Sequence, residues 1–458
     1  MTQNTMSGPR QEVPLREKAL SVLEASREAP SALCLRTAER DYTFADMAAA
    51  VRDLEKNFEA PEKGRPVLLT AEQDAGTIAR IFLYLEKRQP FLLLSPKLTP
   101  GERRALCERA DRISEPLPED CAAVIFTSGT TGEPKPCVIT RDALYANAVA
   151  VGARLKMARG DIWQLSLSPA RIGGLGIVTR SLAYRSAVSA GARFDAASFM
   201  RVIDRDQVSI ASVVPAMLAD ILEKSGDFSV PPRLRALLVG GTRCPERLWR
   251  EAVSHSLPLI ATYAMTETAS TVALSDASPD PLGRLPLCRP LDGVQMRTEG
   301  AEILIKGEMV TPGYWGGEKL SSGWLRTGDF GKLDGQGRLI FAQRRSDLIN
   351  TAGEKVMPSE VEAALEKIPG IKKALVFGVA DEKWGQIVAA VMVPEVPGAV
   401  PGNEALTRAI SGLLAAYKSP RLIYWSDSLL RTPGGKPQRD PKAYGGLAFE
   451  RLHYSRLK

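Results

Sequence analysis

The stretch from Thr127 to Lys135, Thr-Ser-Gly-Thr-Thr-Gly-Glu-Pro-Lys, follows directly on the apolar run Cys121-Ala122-Ala123-Val124-Ile125-Phe126. A short apolar run bounded by charge reads as a buried strand, here one that empties into a loop. That loop has the make-up of a phosphate cradle. Gly129 and Gly132 let backbone N–H groups turn inward with no Cβ in the way, Thr127, Ser128, Thr130 and Thr131 add hydroxyls, and Lys135 adds a charge. Pro134 stiffens the exit. Gly-Lys-Ser/Thr does not follow the second glycine, so this is not a Walker A loop. Ser, Thr and Gly also fill ordinary surface loops, but the strand in front and the density of donors favour an anion site.

The rest of the chain is consistent with a soluble, two-domain protein of 458 residues, 44% apolar and 25% charged. A net charge of +7 suits a polyanionic ligand, although charges of both signs spread along a chain are more often a solvated surface. No dense basic tract with interleaved aromatics occurs, so no nucleic-acid partner is expected. The six cysteines show no Cys-x-x-Cys spacing, which favours reduced thiols in a cytoplasm over a disulfide frame or zinc site. The N-terminus lacks the apolar core of a signal peptide, and no stretch approaches the roughly 20 apolar residues that span a bilayer, so no membrane insertion is expected.

Apolar runs alternate with helical patterns in the first three quarters of the chain. Strands are expected near 32–36, at 67–69, 91–94 and 163–167, with helices over 15–29, from Tyr42–Asp46 onward, over 75–87 and over 141–153. This alternation implies a sheet with parallel strands and packed helices. Two further runs, Ala211–Val214 leading to Pro215 and Leu237–Val239 leading to Gly240-Gly241-Thr242, read as core strands. Ligands gather at the carboxyl ends of parallel strands, and glycines there let a flat ring lie against the backbone. In Tyr263-Ala264-Met265-Thr266-Glu267, Tyr263 can stack on a base, Thr266 can donate to a phosphate oxygen, and Glu267 is a hard oxygen ligand for magnesium. A strand pair is expected at 331–334 and 338–341. Beyond a charged break at Gln343–Ile349, a helix over 360–367, strands at 374–379 and 388–393 and a helix over 403–414 would build a small α+β domain. The boundary is drawn between Arg344 and Arg345, giving domains 1–344 and 345–458.

The 127–135 loop closely resembles that of the adenylate-forming superfamily, which holds acyl-CoA synthetases, luciferases and peptide-synthetase adenylation domains. The likeness runs from about residue 30 to 440 and includes Tyr263–Glu267, where only Ala264 departs from the superfamily's glycine. It implies a large α/β N-terminal domain of parallel and mixed sheets with a small mobile α+β C-terminal domain. It assigns Gly240 and Gly241 to adenine and Asp329, in Thr327-Gly328-Asp329, to the ribose hydroxyls. Arg344 then contacts the nucleotide, Lys436 in Arg431-Thr432-Pro433-Gly434-Gly435-Lys436 is the adenylation lysine, and Gly353 lines a tunnel for coenzyme A. Gly174, Leu175 and Pro215 fall on segments that line the acyl pocket. Arg171 stands where the superfamily usually has histidine. A buried arginine needs an anionic partner, so Arg171 hints at a substrate with a second negative group, or at a pair with a protein carboxylate.

Such a protein would join a small-molecule carboxylic acid to AMP, using ATP and magnesium, and pass the acyl group to coenzyme A. Residues 344–349, with Gly353-Glu354 and Pro358–Glu362 following, look like the o-succinylbenzoate-CoA ligase branch of menaquinone synthesis, whose substrate carries two carboxylates. Thr-Ala-Gly-Glu-Lys at 351–355 departs from the usual Ser-Gly-Gly-Glu-Asn. A ligase for another aryl or fatty acid, a carrier-protein acceptor and a non-catalytic nucleotide-binding subunit stay open on sequence alone, as does a homodimer.

Overall fold

The computed structural model describes residues 16–128, 134–191, 194–224, 228–242, 244–276, 284–320, 323–344, 348–351, 354–381, 384–414, 416–431 and 437–452. These residues form four sheets. The largest runs Arg289–Pro290, Ser270–Leu274, Leu259–Met265, Ala236–Val239, Ile210–Val213, Ile162–Gln164, Ala187–Ser189, Leu33–Arg36, Asp41–Thr43. Its inner strands, from Leu259–Met265 to Leu33–Arg36, are parallel, and the outer ones pair antiparallel. Ala236–Val239 and Ile210–Val213 are buried along their whole length, as parallel strands covered on both faces require.

A second sheet aligns Val67–Thr70, Phe91–Leu94 and Cys121–Ser128 in parallel and closes with the antiparallel Pro134–Thr140. The helix Ile172–Ala183 is buried at every residue from Gly174 to Ala183. A helix that is covered all round belongs to the interior, and this one carries the largest apolar cluster between the layers. Gln295–Glu299, Glu302–Lys306, Leu325–Leu333 and Leu339–Arg344 make a four-stranded antiparallel sheet.

The fourth sheet has six strands: Glu354–Val356, Ile349–Thr351, Gly385–Pro394, Leu422–Trp425 and Phe449–Arg451 in order, with Ile371–Asp381 paired to Gly385–Pro394. One face packs Val376, Ala390 and Met392 against Leu365 of helix Pro358–Leu365 and Leu406 of helix Asn403–Leu413. On the other, Phe377 stacks on Tyr444 with ring centres 5.6 Å apart. The fold class is the expected one, a large α/β part followed by a smaller α+β part. No helix among the described residues is long and apolar enough to cross a membrane.

Four local expectations are corrected. The helix expected over 15–29 is two, Arg16–Ala19 and Val22–Glu28, and Leu15 lies outside the described residues. Ser21 makes the break: its hydroxyl accepts from the Glu24 N–H at 3.0 Å and donates to the Glu86 carboxylate at 2.9 Å, so it caps a fresh start. The strand expected at 163–167 is only Ile162–Gln164. Leu68, expected to be buried, is 45% exposed. Pro134, expected as the stiffened exit of a loop, opens the strand Pro134–Thr140, whose Val138 and Ile139 are buried.

The smaller part carries a titration that reaches neutral pH. Glu366 caps helix Pro358–Leu365, and burial pushes its carboxyl up to about 7 from 4.5. The Ala374 N–H, which donates to it at 3.2 Å, and the charges of Arg247 and Lys373 pull the other way, while Glu362 adds to the rise. The folded chain therefore holds a proton the unfolded chain has lost, so this stability is present below pH 4.5 and drains as pH rises through 7. Glu366→Gln, which keeps the acceptor and cannot ionise, is expected to be more stable than the parent at pH 8 by on the order of 3 kcal/mol. At pH 4.5 the two should match in urea unfolding. Equal midpoints at both pH values would refute this.

Candidate functional site

The carboxyl edge of the parallel strands gathers most of the expected residues. Strand Ala236–Val239 lies beside Leu259–Met265, with Val239 opposite Ala261, so Gly240 and Gly241 emerge next to Thr262 and Tyr263. A Cβ at Gly240 would overlap the Thr262 hydroxyl, so the strands can lie this close only with glycine there. Thr242 is exposed. Pro215 opens helix Pro215–Lys224 just past Ile210–Val213, the next strand along.

Tyr263 reaches across to the antiparallel sheet, where its hydroxyl donates to Asp329 Oδ2 at 2.8 Å. Asp329 sits within strand Leu325–Leu333 and is only 7% exposed. Its backbone N–H donates to Thr327 Oγ1 at 3.0 Å, and that hydroxyl donates to the Ile303 carbonyl at 2.7 Å. The carboxylate is thus fixed from both ends. Its cross-strand partner is Arg344, which ends the sheet.

Thr266 and Glu267 stand on the single turn Thr266–Thr268 that follows the strand Leu259–Met265. Glu267 is 8% exposed, and its Oε1 accepts from the Tyr314 hydroxyl at 2.8 Å. Its carbonyl accepts from the Thr311 N–H at 2.8 Å. Residues 311–315 also lace onto the strand Pro134–Thr140, through Val138 N–H to the Gly313 carbonyl at 3.1 Å and Trp315 N–H to the Pro136 carbonyl at 2.9 Å. The Lys135 ammonium lies 5.4 Å from the centre of the Tyr314 ring. Tyr314 therefore lies between the Glu267 carboxylate and the Lys135 ammonium. It was not singled out in the sequence; its only signal was an aromatic pair behind Pro312-Gly313.

Thr127 and Ser128 are not loop residues but the last of the strand Cys121–Ser128, opposite Lys135 and Pro134. The ladder runs as far as Ser128 and Pro134, and the run of apolar residues does not show how far it extends. Gly129, Thr130, Thr131 and Gly132 lie outside the described residues, as do Gly353 and Lys436.

Arg171 is corrected in its environment. It is exposed, at the position preceding helix Ile172–Ala183, so burial does not oblige it to find a protein carboxylate. It lines a small cavity of about 40 Å³ with Ser95, Leu106, Phe126 and Ala170. Leu175 is fully buried in the main core, and a Cβ at Gly174 would overlap the Ser168 carbonyl, so both have packing reasons for their identity. All six cysteines are free; burial pushes Cys121 up to about 12 and Cys137 well above its ordinary range, so neither thiol beside the hairpin is a nucleophile at neutral pH.

Magnesium suits this donor set, because it keeps several waters and takes one or two carboxylates together with substrate phosphates. Glu267, with Thr266 beside it, offers such a carboxylate.

An edge of this kind, between a parallel sheet and a hairpin of phosphate-cradle composition, has known counterparts. The AMP-binding enzyme family matches residues 24–315, and the AMP-binding enzyme C-terminal domain matches 360–436. The chain belongs to the AMP-binding enzyme family. Over 334 residues it is 35% identical to the 2-succinylbenzoate–CoA ligase of Bacillus mycoides (strain KBAB4), covering 69% of each chain. The 2-succinylbenzoate–CoA ligase of Geobacillus kaustophilus (strain HTA426) is 36% identical over 356 residues, 74% of this chain and 72% of that one. The o-succinylbenzoate coenzyme A synthetase of Bacillus subtilis, solved with ATP and magnesium ion, superposes with a TM-score of 0.79 at 27% identity, over 91% of this chain and 98% of that one.

Proposed function

We propose that this chain is an ATP-dependent acid–CoA ligase whose acid is o-succinylbenzoate, acting in menaquinone synthesis. The observation that carries the nucleotide site is the Tyr263 to Asp329 hydrogen bond of 2.8 Å, which sets an aromatic ring and a buried carboxylate side by side at the strand edge. The acid is supported by the names of the relatives, which at 34–36% identity are 2-succinylbenzoate–CoA ligases. An exposed arginine at 171, in place of histidine, suits a substrate with a second carboxylate.

A carboxylate is a poor acylating agent because its leaving group would be oxide. In the first half-reaction the substrate carboxylate attacks the α-phosphorus of ATP and pyrophosphate leaves, so charge builds on oxygens that positioned donors must neutralise. Thr127, Lys135 and the hairpin tip hold the departing phosphates. Tyr263, Gly240 and Gly241 take the adenine, Asp329 the ribose, and Lys436 bridges the carboxylate and the α-phosphate. Magnesium on Glu267 supplies neutralising charge to the phosphates. In the second half-reaction the coenzyme A thiol attacks the acyl carbonyl, AMP leaves, and the C-terminal domain has turned so that Gly353 lines the thiol's path. The boundary after Arg344 is supported by the antiparallel sheet ending at Arg344 and the six-stranded sheet starting by Ile349. Six free cysteines suit a cytoplasmic enzyme.

Purified protein with ATP, magnesium and coenzyme A is offered o-succinylbenzoate, benzoate or a medium-chain fatty acid. Release of pyrophosphate and formation of thioester with o-succinylbenzoate alone is the expected result. Pyrophosphate without thioester would replace coenzyme A by a carrier protein, and turnover of another acid in preference would overturn the substrate.

A further inference from the structure

Behind the turn that carries Thr266 and Glu267 lies a buried cation with an unusual partner. Arg180, on helix Ile172–Ala183, is 2% exposed and has no carboxylate partner among the described residues. Its guanidinium donates to Asn147 Oδ1 from Nη2 at 2.6 Å and from Nε at 3.2 Å, and lies 5.4 Å over the ring of Trp163. Burial lowers its pKa to about 9, which leaves it charged at neutral pH. Taking an arginine out of water without a counter-ion is costly, so its place in the core calls for a reason.

The reason lies one residue further on. Asn147 is 1% exposed, and with its oxygen drawn to Arg180 its amide NH2 must point the other way. There Nδ2 donates to the Thr271 carbonyl at 2.7 Å and lies 3.4 Å from the Thr268 carbonyl. Between those two carbonyls stand Ala269 and Ser270, both in the left-handed region with φ of 50° and 111°. Residues with a Cβ adopt such angles only where their surroundings hold them. Arginine has donors only, so Arg180 forbids the flipped amide that would set Asn147 Oδ1 against two carbonyl oxygens. From this we propose that Arg180 and Asn147 are positioning residues: Arg180 locks the orientation of Asn147, Asn147 pins the strained 269–270 backbone, and the backbone aims Thr266 and Glu267 at the metal–nucleotide complex.

This rests on the reading of Glu267 as a magnesium ligand, and the experiment separates the two. Asn147→Asp gives Arg180 the counter-ion it lacks but removes the amide that holds Thr271, so a purely structural need for a partner would be met while the pin is lost. Its half-saturating magnesium concentration is expected to rise about tenfold, with the KM for the acid within about twofold, and the melting temperature is expected to fall because the new carboxylate oxygen faces the Thr268 and Thr271 carbonyls. Arg180→Met, of similar length, should move the magnesium constant in the same direction, and Glu267→Gln serves as reference. A raised magnesium requirement in Glu267→Gln with a parent-like one in Asn147→Asp overturns the inference alone. An unmoved requirement in Glu267→Gln overturns the reading of the turn and the inference with it.

Discussion

Lys436→Ala is expected to cut acid-dependent exchange of pyrophosphate into ATP by about 10²–10³-fold, the scale of losing one positioned donor to a developing oxyanion, ~3–4 kcal/mol. In the role proposed for it, a cation at 436 would act on charge that appears only while the carboxylate oxygen attacks the α-phosphorus. Thiol attack on a finished acyl-adenylate develops its charge on the acyl carbonyl oxygen before AMP departs, and a thiolate needs little help beyond access. Thioester formation from supplied acyl-adenylate should therefore stay within about threefold of the parent in the same variant. Measuring both half-reactions side by side is the test. Equal losses in the two would mean that the lysine serves the fold or both states alike, and its assignment to adenylation would fall.

Asp329→Ala is expected to raise the KM for ATP by ~10²-fold or more while the KM for the acid hardly moves. Hydrogen bonds to a charged acceptor contribute ~1.5–3 kcal/mol each, and a carboxylate facing two ribose hydroxyls makes two. The loss is larger than for an exposed carboxylate because Asp329 is almost buried and already oriented by Tyr263 and Thr327, so binding pays little to order it. Titration of the variant with ATP, and separately with the acid, reads the effect. A KM for ATP within about threefold of the parent's would remove Asp329 from the ribose site.

Contiguous signals were legible in the sequence and dispersed ones were not. The strand before the hairpin, the glycines after Leu237–Val239 and the Tyr263–Glu267 run could be read because each is set by neighbours in the chain. Strands such as Phe91–Leu94 announced themselves by unbroken apolar runs. Tyr314 was missed because its partner Glu267 is 47 residues away. Arg180 and Asn147, 33 apart, sit on helices that carry other polar residues, among them Asp142, Arg154 and Thr179, and nothing local distinguishes a buried arginine from an exposed one. The same blindness misplaced Arg171: one position before a helix enters the core, periodicity cannot say which side of the boundary it occupies. The strand Pro134–Thr140 was hidden by its two prolines, which sit at the hairpin edge where a missing N–H is tolerated.

The pairing of Asp329 with Arg344 limits where this chain can be recombined with a relative. Backbone partners run from Leu333 with Leu339 out to Asp329 with Arg344, so the final residue of the strand Leu339–Arg344 is the one that lies against the carboxylate-bearing position. A crossover placed after Arg344 hands over the smaller part and leaves that ladder whole. One placed a few residues earlier exchanges the strand beside Asp329 as well, so a hybrid made there would inherit a foreign edge at its nucleotide site together with a foreign C-terminal part.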